Sequence, residues 1–252
     1  MPSGQAPLET KSRRYSEIVT ELANAQKGTK GAPAYSRYVN RRLGRRLAAA
    51  AYLIGLMPNQ VTVISAMFSF AAIVALIWVH PSFWLAVLVT SLLLIGYAFD
   101  SADGQLARLC HASSKAGEWL DHMVDAAKVG LLHAAVLISC YRFGWHRSHG
   151  YLLIPLGFGI VASVLFFSMT LNDQLRRQHA LSHPEAPKPP TSSSTLHSLA
   201  VAPTDYGVLC AVFLLLGWQA GFRVVYAVLF VCYAGFLLLA VRKWFREMKA
   251  LR

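Results

Sequence analysis

The sequence predicts an all-α integral membrane protein with six transmembrane helices and an amphipathic helix before the first of them. Of its 252 residues, 55% are hydrophobic and only 14% are charged. Five uncharged apolar runs of 17 to 21 residues occur, at 61–79, 83–99, 151–171, 206–222 and 224–241. Each can cross about 30 Å of hydrocarbon as a helix. A sixth span, 118–141, is apolar except at its start, and none of the runs has the polar face of a soluble helix.

The chain before the first span divides into two parts. Residues 1–33 are polar and predict a flexible cytoplasmic tail with at most a short helix around Tyr15–Ala25. Residues 34–57 predict an amphipathic interfacial helix, in which arginines meet lipid phosphates. Its apolar positions recur at helical spacing: Tyr35, Tyr38, Val39, Leu43 and Leu47. Its basic positions are Arg37, Arg41, Arg42, Arg45 and Arg46. A solvated basic stretch that only anchors the topology is the alternative.

The membrane domain is predicted to extend over residues 58–241. Pro58 and Asn59 break the chain before the first span, as these residue types do at helix starts. Residues 182–203 are rich in Pro, Ser and Thr and predict a flexible cytoplasmic linker. Residues 242–252 form a short basic cytoplasmic tail.

The net charge of +12 is distributed as expected for a membrane protein, and we expect no nucleic-acid partner. Ten of the 24 Lys and Arg residues precede residue 60, and five follow residue 241. Only Arg142, Arg147 and Arg223 fall on the opposite side of the predicted topology. By the positive-inside rule, we expect a multi-pass protein of the cell membrane with both termini in the cytoplasm.

Four aspartates stand at fixed spacing in a chain that has only twelve acidic residues. Asp100 and Asp103 close the second span on one helix face, and Asp121 and Asp125 open the third on one face. Carboxylates at the edge of hydrocarbon are costly, so a functional reason is expected. Antiparallel neighbouring helices would bring the two pairs together at the cytoplasmic surface, where repulsion requires divalent cations. Hard oxygen ligands suit Mg²⁺ or Mn²⁺.

The residues between the two pairs fit a phosphate-bearing substrate. Gly104, Ala107 and Gly117 keep the helix ends slim enough for a bulky group to approach the backbone. Arg108 offers a fork of donors for phosphate oxygens. Together with metal ions and one carboxylate that accepts a proton, these residues indicate a phosphoryl-transfer site.

This pattern resembles the signature of the CDP-alcohol phosphotransferases, Asp-x2-Asp-Gly-x2-Ala-Arg-x8-Gly-x3-Asp-x3-Asp. Every fixed position is met, by Asp100, Asp103, Gly104, Ala107, Arg108, Gly117, Asp121 and Asp125. The segment Pro58–Thr62 is also similar to the start of the family's first span. The resemblance covers residues 58–125 by motif and roughly 40–241 by the order of spans.

The resemblance implies a six-helix fold, usually dimeric, with a polar cavity that is open to the cytoplasm. In that case Asp100, Asp103 and Asp121 bind two metal ions, and Asp125 completes the second metal site and acts as general base. The CDP moiety is then held by Asn59, Thr62, Gly104, Ala107, Arg108 and Gly117. The reaction is attack of an alcohol on a CDP-linked phosphate, with release of CMP.

The acceptor is less well defined. Helical spacing places Lys128 almost in line with Asp121 and about 10 Å deeper in the membrane. It is predicted either to bind an anionic group of a polar acceptor or to be a counter-ion of Asp121, Asp125 or Glu118. Arg176 and Arg177, after the cytoplasmic end of the fourth span, are interpreted as topology-setting charges, and the alternative is that they face the cavity. His122 lies near the chemistry, with its side chain expected to point off the motif face.

The donor has two candidates. The compact chain with six spans is similar to the family enzymes that use CDP-diacylglycerol, and this resemblance favours that lipid as donor, with a polar alcohol such as an inositol phosphate or glycerol phosphate as acceptor. The pair Asp121-His122 instead looks like the aminoalcohol phosphotransferases, in which a soluble CDP-alcohol donates to diacylglycerol.

A six-span cation transporter is an alternative function. It predicts acidic residues spread along a path through the bilayer, but the outer halves of these spans are uncharged.

Overall fold

The computed structural model describes residues 14–24, 34–146, 148–183 and 204–250. Within these residues the regular structure is entirely helical, with no strand. The α-helices are α1 (Tyr15–Asn24), α2 (Arg41–Leu53), α3 (Pro58–Trp78), α4 (Phe83–Leu109), α5 (Lys115–Arg142), α6 (Leu153–Ser182), α7 (Tyr206–Val212) and α8 (Gln219–Ala250). A π-helical segment, Ser36–Asn40, precedes α2, and 3₁₀ segments precede α6 (His149–Leu152) and follow α7 (Phe213–Gly217).

Local sequence signals fix where the long helices begin. Pro58 occupies the first position of α3, where its missing N–H costs nothing. The Ser82 hydroxyl accepts a hydrogen bond from the Leu85 N–H at the start of α4. Ser114 does the same for the Gly117 N–H at the start of α5. These caps satisfy donors that helix starts would otherwise leave unpaired.

Among the described residues, five helical segments are long and apolar enough to cross a membrane. They are Pro58–Trp78, Phe83–Leu109, Lys115–Arg142, His149–Ser182 and Gln219–Lys249. The predicted spans 83–99, 118–141, 151–171 and 224–241 each lie within one of these segments, and 61–79 extends one residue beyond Trp78. The chain is therefore a multi-pass helical protein of the expected class.

The predicted fifth span, 206–222, is not one continuous helix. The helical segment Tyr206–Gly217 is shorter, and α8 already begins at Gln219. Its start packs against α4, where the Tyr206 and Tyr97 ring centroids are 5.1 Å apart. At its end, a Cβ on Gly217 would lie 3.0 Å from the Phe83 backbone. The chain turns after Gly217, where a larger residue would crowd the Phe83 backbone. Hydropathy does not reveal this turn, because the apolar run continues to Phe222, next to Arg223.

The N-terminal helices pack on the end of α4 through small residues. A Cβ on Gly44 would lie 2.7 Å from Ser101 Oγ, and Ala48 and Ala49 are fully buried. Of the larger apolar residues on which the interfacial prediction rests, Tyr38 is 50%, Val39 39% and Leu43 40% exposed, whereas Leu47 packs against the buried cluster. Small side chains at the contact allow the helices to approach closely.

The predicted tail contains ordered structure at α1. Ile18 and Leu22 are buried in the same apolar cluster as Ala48 and Ala49 of α2. The Tyr15 hydroxyl donates a hydrogen bond to the Arg46 carbonyl. The other residues of the predicted tail, most of the 182–203 linker and the last two residues of the chain lie outside the described residues.

Candidate active site

The candidate site lies between the end of α4 and the start of α5, which carry the four aspartates. Residues 110–114 connect the two helices, as the short predicted connection requires. Few backbone contacts join α4 directly to α5, whereas α3 packs closely against both. The two helices are therefore neighbours across a gap, and the start of α3 forms one wall of that gap.

Three of the four predicted metal ligands converge. One carboxylate oxygen from each of Asp100, Asp121 and Asp125 lies within 4.8 Å of the other two. Asp103 is not part of this group. Its Oδ2 accepts a hydrogen bond of 2.6 Å from the Thr62 hydroxyl, and both side chains are buried. The helical spacing brings the two pairs close, but the α3 hydroxyl turns Asp103 toward a different partner.

Three convergent carboxylates form a donor set that fits a divalent cation. Their oxygens are hard ligands, and oxygens at neighbouring and at opposite positions around a Mg²⁺ ion are about 3.0 and 4.2 Å apart. The three oxygens lie within 4.8 Å of one another, so the side chains would have to move closer together to hold an ion. The same chemistry suits Mn²⁺, and the donor set does not choose between the two.

Lys128 lies beside the carboxylate cluster. Its Nζ is 2.6 Å from Asp100 Oδ1 and 2.7 Å from Asp125 Oδ1, and the residue is only 4% exposed. Asp125 is one of the partners that the sequence predicts if Lys128 is a counter-ion. Asp100, 28 residues earlier in the chain, is not among the predicted partners.

A cavity of about 460 Å³ opens next to the cluster. It is lined by all six residues that the sequence assigns to the CDP moiety: Asn59, Thr62, Gly104, Ala107, Arg108 and Gly117. Asp103 and Asp121 also face it. Asp100, Asp125 and Lys128 do not line the cavity, so the cluster extends from the cavity wall into the protein.

The glycines of the motif have two distinct roles. A Cβ on Gly104 would meet only Arg108 Nη1, at 3.6 Å, so this position leaves the cavity wall open. A Cβ on Gly117 would lie 2.9 Å from Asn59 Oδ1, which is tighter than ordinary contact. Gly117 therefore allows the first turn of α5 to approach the first turn of α3, and it keeps Asn59 at the cavity.

The cavity wall also contains Arg177 and His122. Arg177 forms an ion pair with Glu118, to which Gln174 also donates a hydrogen bond of 3.2 Å. The alternative that Arg177 faces the cavity therefore agrees with the structure. His122 Nε2 lies 3.9 Å from Glu118 Oε1. Glu118 and Arg177 are 59 residues apart, and no spacing rule connects them.

Arg176 differs from its neighbour Arg177. It forms ion pairs with Glu247 of α8 and with Asp173, and it does not line the cavity. Arg108, Lys115 and Arg177 supply cations at the cavity wall that suit phosphate oxygens. The same wall contains the acidic residues Asp103, Glu118 and Asp121.

Comparison with known proteins identifies one family. The family model described as CDP-alcohol phosphatidyltransferase matches residues 55–238, which include the start of α3, the four aspartates and the cavity. No protein of curated function matches the chain significantly.

Proposed function

The chain belongs to the CDP-alcohol phosphatidyltransferase family, and we propose that it transfers a substituted phosphate from CDP-diacylglycerol to a polar alcohol and releases CMP. The observation that carries the proposal is a cavity with Arg108 and Lys115 in its wall beside three convergent carboxylates. This arrangement has a place for the nucleotide phosphates and a place for divalent ions. The family implies a transferase that acts between a CDP-alcohol and an alcohol.

The cavity residues are proposed to hold the nucleotide. Asn59, Thr62, Gly104, Ala107 and Gly117 line a space that the CDP moiety fills, and Arg108 binds its phosphate oxygens. Arg177, which also lines the cavity, would add a second guanidinium for these oxygens. The binding energy of the nucleotide then positions the reacting phosphorus over the carboxylates.

The aspartates are proposed to hold two divalent ions, Mg²⁺ or Mn²⁺, with Asp100, Asp103 and Asp121 as ligands and Asp125 completing the second site. When bound, such ions neutralise and polarise a pyrophosphate. Asp125 takes the proton from the acceptor hydroxyl as its oxygen forms the new P–O bond. The P–O bond to the cytidine phosphate breaks, and CMP leaves with the bridging oxygen.

The acceptor is proposed to approach near Lys128. Asp125 is the base, and the Lys128 ammonium lies 2.7 Å from its carboxylate. An anionic group on the acceptor, such as the phosphate of an inositol phosphate or glycerol phosphate, would find a cation there. This supports a polar, charged acceptor for the transfer.

An aminoalcohol-type reaction is the second candidate. His122 follows Asp121 and lines the cavity, as the resemblance to that group suggests. In that reaction a soluble CDP-alcohol is the donor and diacylglycerol is the acceptor. The transporter alternative receives no such support, because Asp100, Asp121 and Asp125 converge at one place instead of being spread along a path through the bilayer.

We propose the following membrane arrangement. Both termini and the cavity face the cytoplasm at the cell membrane, because basic residues are concentrated on that side. The segment Tyr206–Gly217 is the fifth of the six spans in chain order, since it lies along α4 from Tyr97 to Phe83. The exposed apolar residues of α2 enter the lipid interface. A homodimer is proposed from the family resemblance, and cross-linking in membranes tests it.

A substrate panel tests the reaction. Membranes containing the chain receive labelled CDP-diacylglycerol with inositol phosphate or glycerol phosphate, or labelled CDP-aminoalcohol with diacylglycerol, each with Mg²⁺ or Mn²⁺. We expect CMP and a new lipid only from CDP-diacylglycerol. Product from the CDP-aminoalcohol alone would replace the proposal with the second candidate, and Asp125→Asn is the inactive control.

A further inference from the structure

Lys128 has an unusual position for a lysine in an apolar helix. It lies one turn after Asp125 on α5, it is buried, and its ammonium is within 2.7 Å of carboxylate oxygens on two helices. Both carboxylates, Asp100 and Asp125, belong to the cluster that fits a divalent cation. The Lys128 ammonium and a bound cation would therefore contact the same two carboxylates.

The charges at this place support competition. Asp100, Asp121 and Asp125 carry three negative charges, and Lys128 offsets one of them. Two divalent ions on four aspartates already balance the carboxylate charge, so an ammonium in contact with Asp100 and Asp125 is then surplus positive charge. At these separations, and away from bulk water, like charges repel strongly.

We propose that the Lys128 ammonium is a built-in competitor for the metal site, which must release at least one of its two carboxylates when a divalent cation binds. The inference rests on the metal role in the proposed function. Its consequence is that the cation alone binds weakly. The donor's pyrophosphate oxygens then supply the extra ligands that favour loading, so that metal and nucleotide enter together.

The proposal is tested by direct metal binding without nucleotide or turnover. Free Mn²⁺ is measured by electron paramagnetic resonance during titration of the purified, detergent-solubilised chain. Lys128→Met removes the competing charge and is expected to lower the Kd for Mn²⁺ at least about 10-fold. Lys128→Arg keeps the charge and should bind Mn²⁺ within about threefold of wild type. Lys115→Met removes a positive charge at the cavity wall, and its Kd should change less than about threefold.

A second neutral variant and a stability measurement distinguish a change in metal binding from a folding defect. Lys128→Gln keeps a polar side chain without the charge, and it too should bind Mn²⁺ more tightly. Added Mn²⁺ should raise the melting temperature of either neutral variant more than that of wild type, because binding to the folded state stabilises it.

Two results would overturn the inference, and they differ in what they say of the proposed function. In the first, wild type binds Mn²⁺, and the neutral variants bind it with equal or lower affinity. This would show that Lys128 supports the site rather than competing for it. The proposed reaction would then stand. If neither wild type nor the neutral variants bind Mn²⁺, the metal role itself fails, and the inference fails with it.

Discussion

The hydrogen bond between Thr62 and Asp103 gives the sharpest test of how α3 contributes to the site. Thr62 Oγ1 donates to Asp103 Oδ2 at 2.6 Å, and the two residues are only 4% and 6% exposed. A hydrogen bond to a charged group contributes about 1.5–3 kcal/mol. Removing the donor costs more when the charged partner stays buried without a hydrogen bond. Thr62→Val keeps the side-chain shape and removes the donor.

Such a loss corresponds to a 10- to 150-fold decrease, at about 1.4 kcal/mol for each factor of ten. We expect it in kcat/KM for the CDP donor, because an unpaired Asp103 no longer holds its position at the cavity wall. The assay is initial-rate CMP release at varied donor concentration, with variants solubilised and quantified in parallel. Thr62→Ser restores the hydroxyl and should stay within about threefold of wild type.

Thr90 provides a matched control. It is also a buried threonine, on α4, and its hydroxyl has no hydrogen-bond partner in the part of the chain that the structure describes. Thr90→Val should therefore leave kcat/KM unchanged and should not lower stability. Wild-type activity in Thr62→Val, or an equal loss in Thr90→Val, would refute the reasoning.

Four further predictions follow from the site. Asp125→Asn should abolish turnover while CDP-donor binding, measured by equilibrium dialysis, persists; near-wild-type turnover would remove the base assignment. Exhaustive chelation should abolish activity, Mg²⁺ or Mn²⁺ should restore it, and Ca²⁺ should restore less, since its coordination geometry is looser; full activity after chelation would contradict the mechanism. Lys128→Met should raise the acceptor KM at least about 10-fold at saturating Mn²⁺ with little change in donor KM; parallel changes would indicate a structural role. Gly117→Ala should weaken CDP binding, because its Cβ would lie 2.9 Å from Asn59 Oδ1; unchanged affinity in calorimetry would show that this contact relaxes freely.

The sequence predicts most of the cavity because its residues are fixed by helical spacing. Gly104, Ala107 and Arg108 share the last turns of one helix, and Gly117 and Asp121 share the first turns of the next. Once a short connection joins two such helices, their relative positions vary little. Asn59 and Thr62 were reached through the resemblance, and the contact of Thr62 with Asp103 explains why the start of α3 belongs to the site.

Side-chain pairs between distant segments could not be predicted. The contacts Lys128–Asp100 and Arg177–Glu118 depend on how α4, α5 and α6 are rotated about their axes. Hydropathy carries no information on that rotation within an apolar span. The same limit applies to Asp103, whose separation from the other three aspartates depends on one hydroxyl of a third helix.

Two features of the fold had a different cause. Helix packing uses small residues of α2, Gly44 and Ala48, whereas the interfacial helix is predicted from larger residues and stays a prediction. The length rule for spans places 206–222 in one helix, because apolar composition continues through the turn at Trp218. Both features depend on close packing between helices, which hydrophobicity does not describe.

The central claim is that this cavity transfers a phosphate-linked group from a CDP donor to an alcohol. The most direct test measures CMP and new lipid in the same reaction, with purified chain, labelled CDP-diacylglycerol, Mn²⁺ and a polar alcohol phosphate. The account predicts equal molar amounts of the two products, dependence on the acceptor, and neither product with Asp125→Asn. CMP formed at the same rate without an acceptor, or a new lipid formed without CMP, would contradict it.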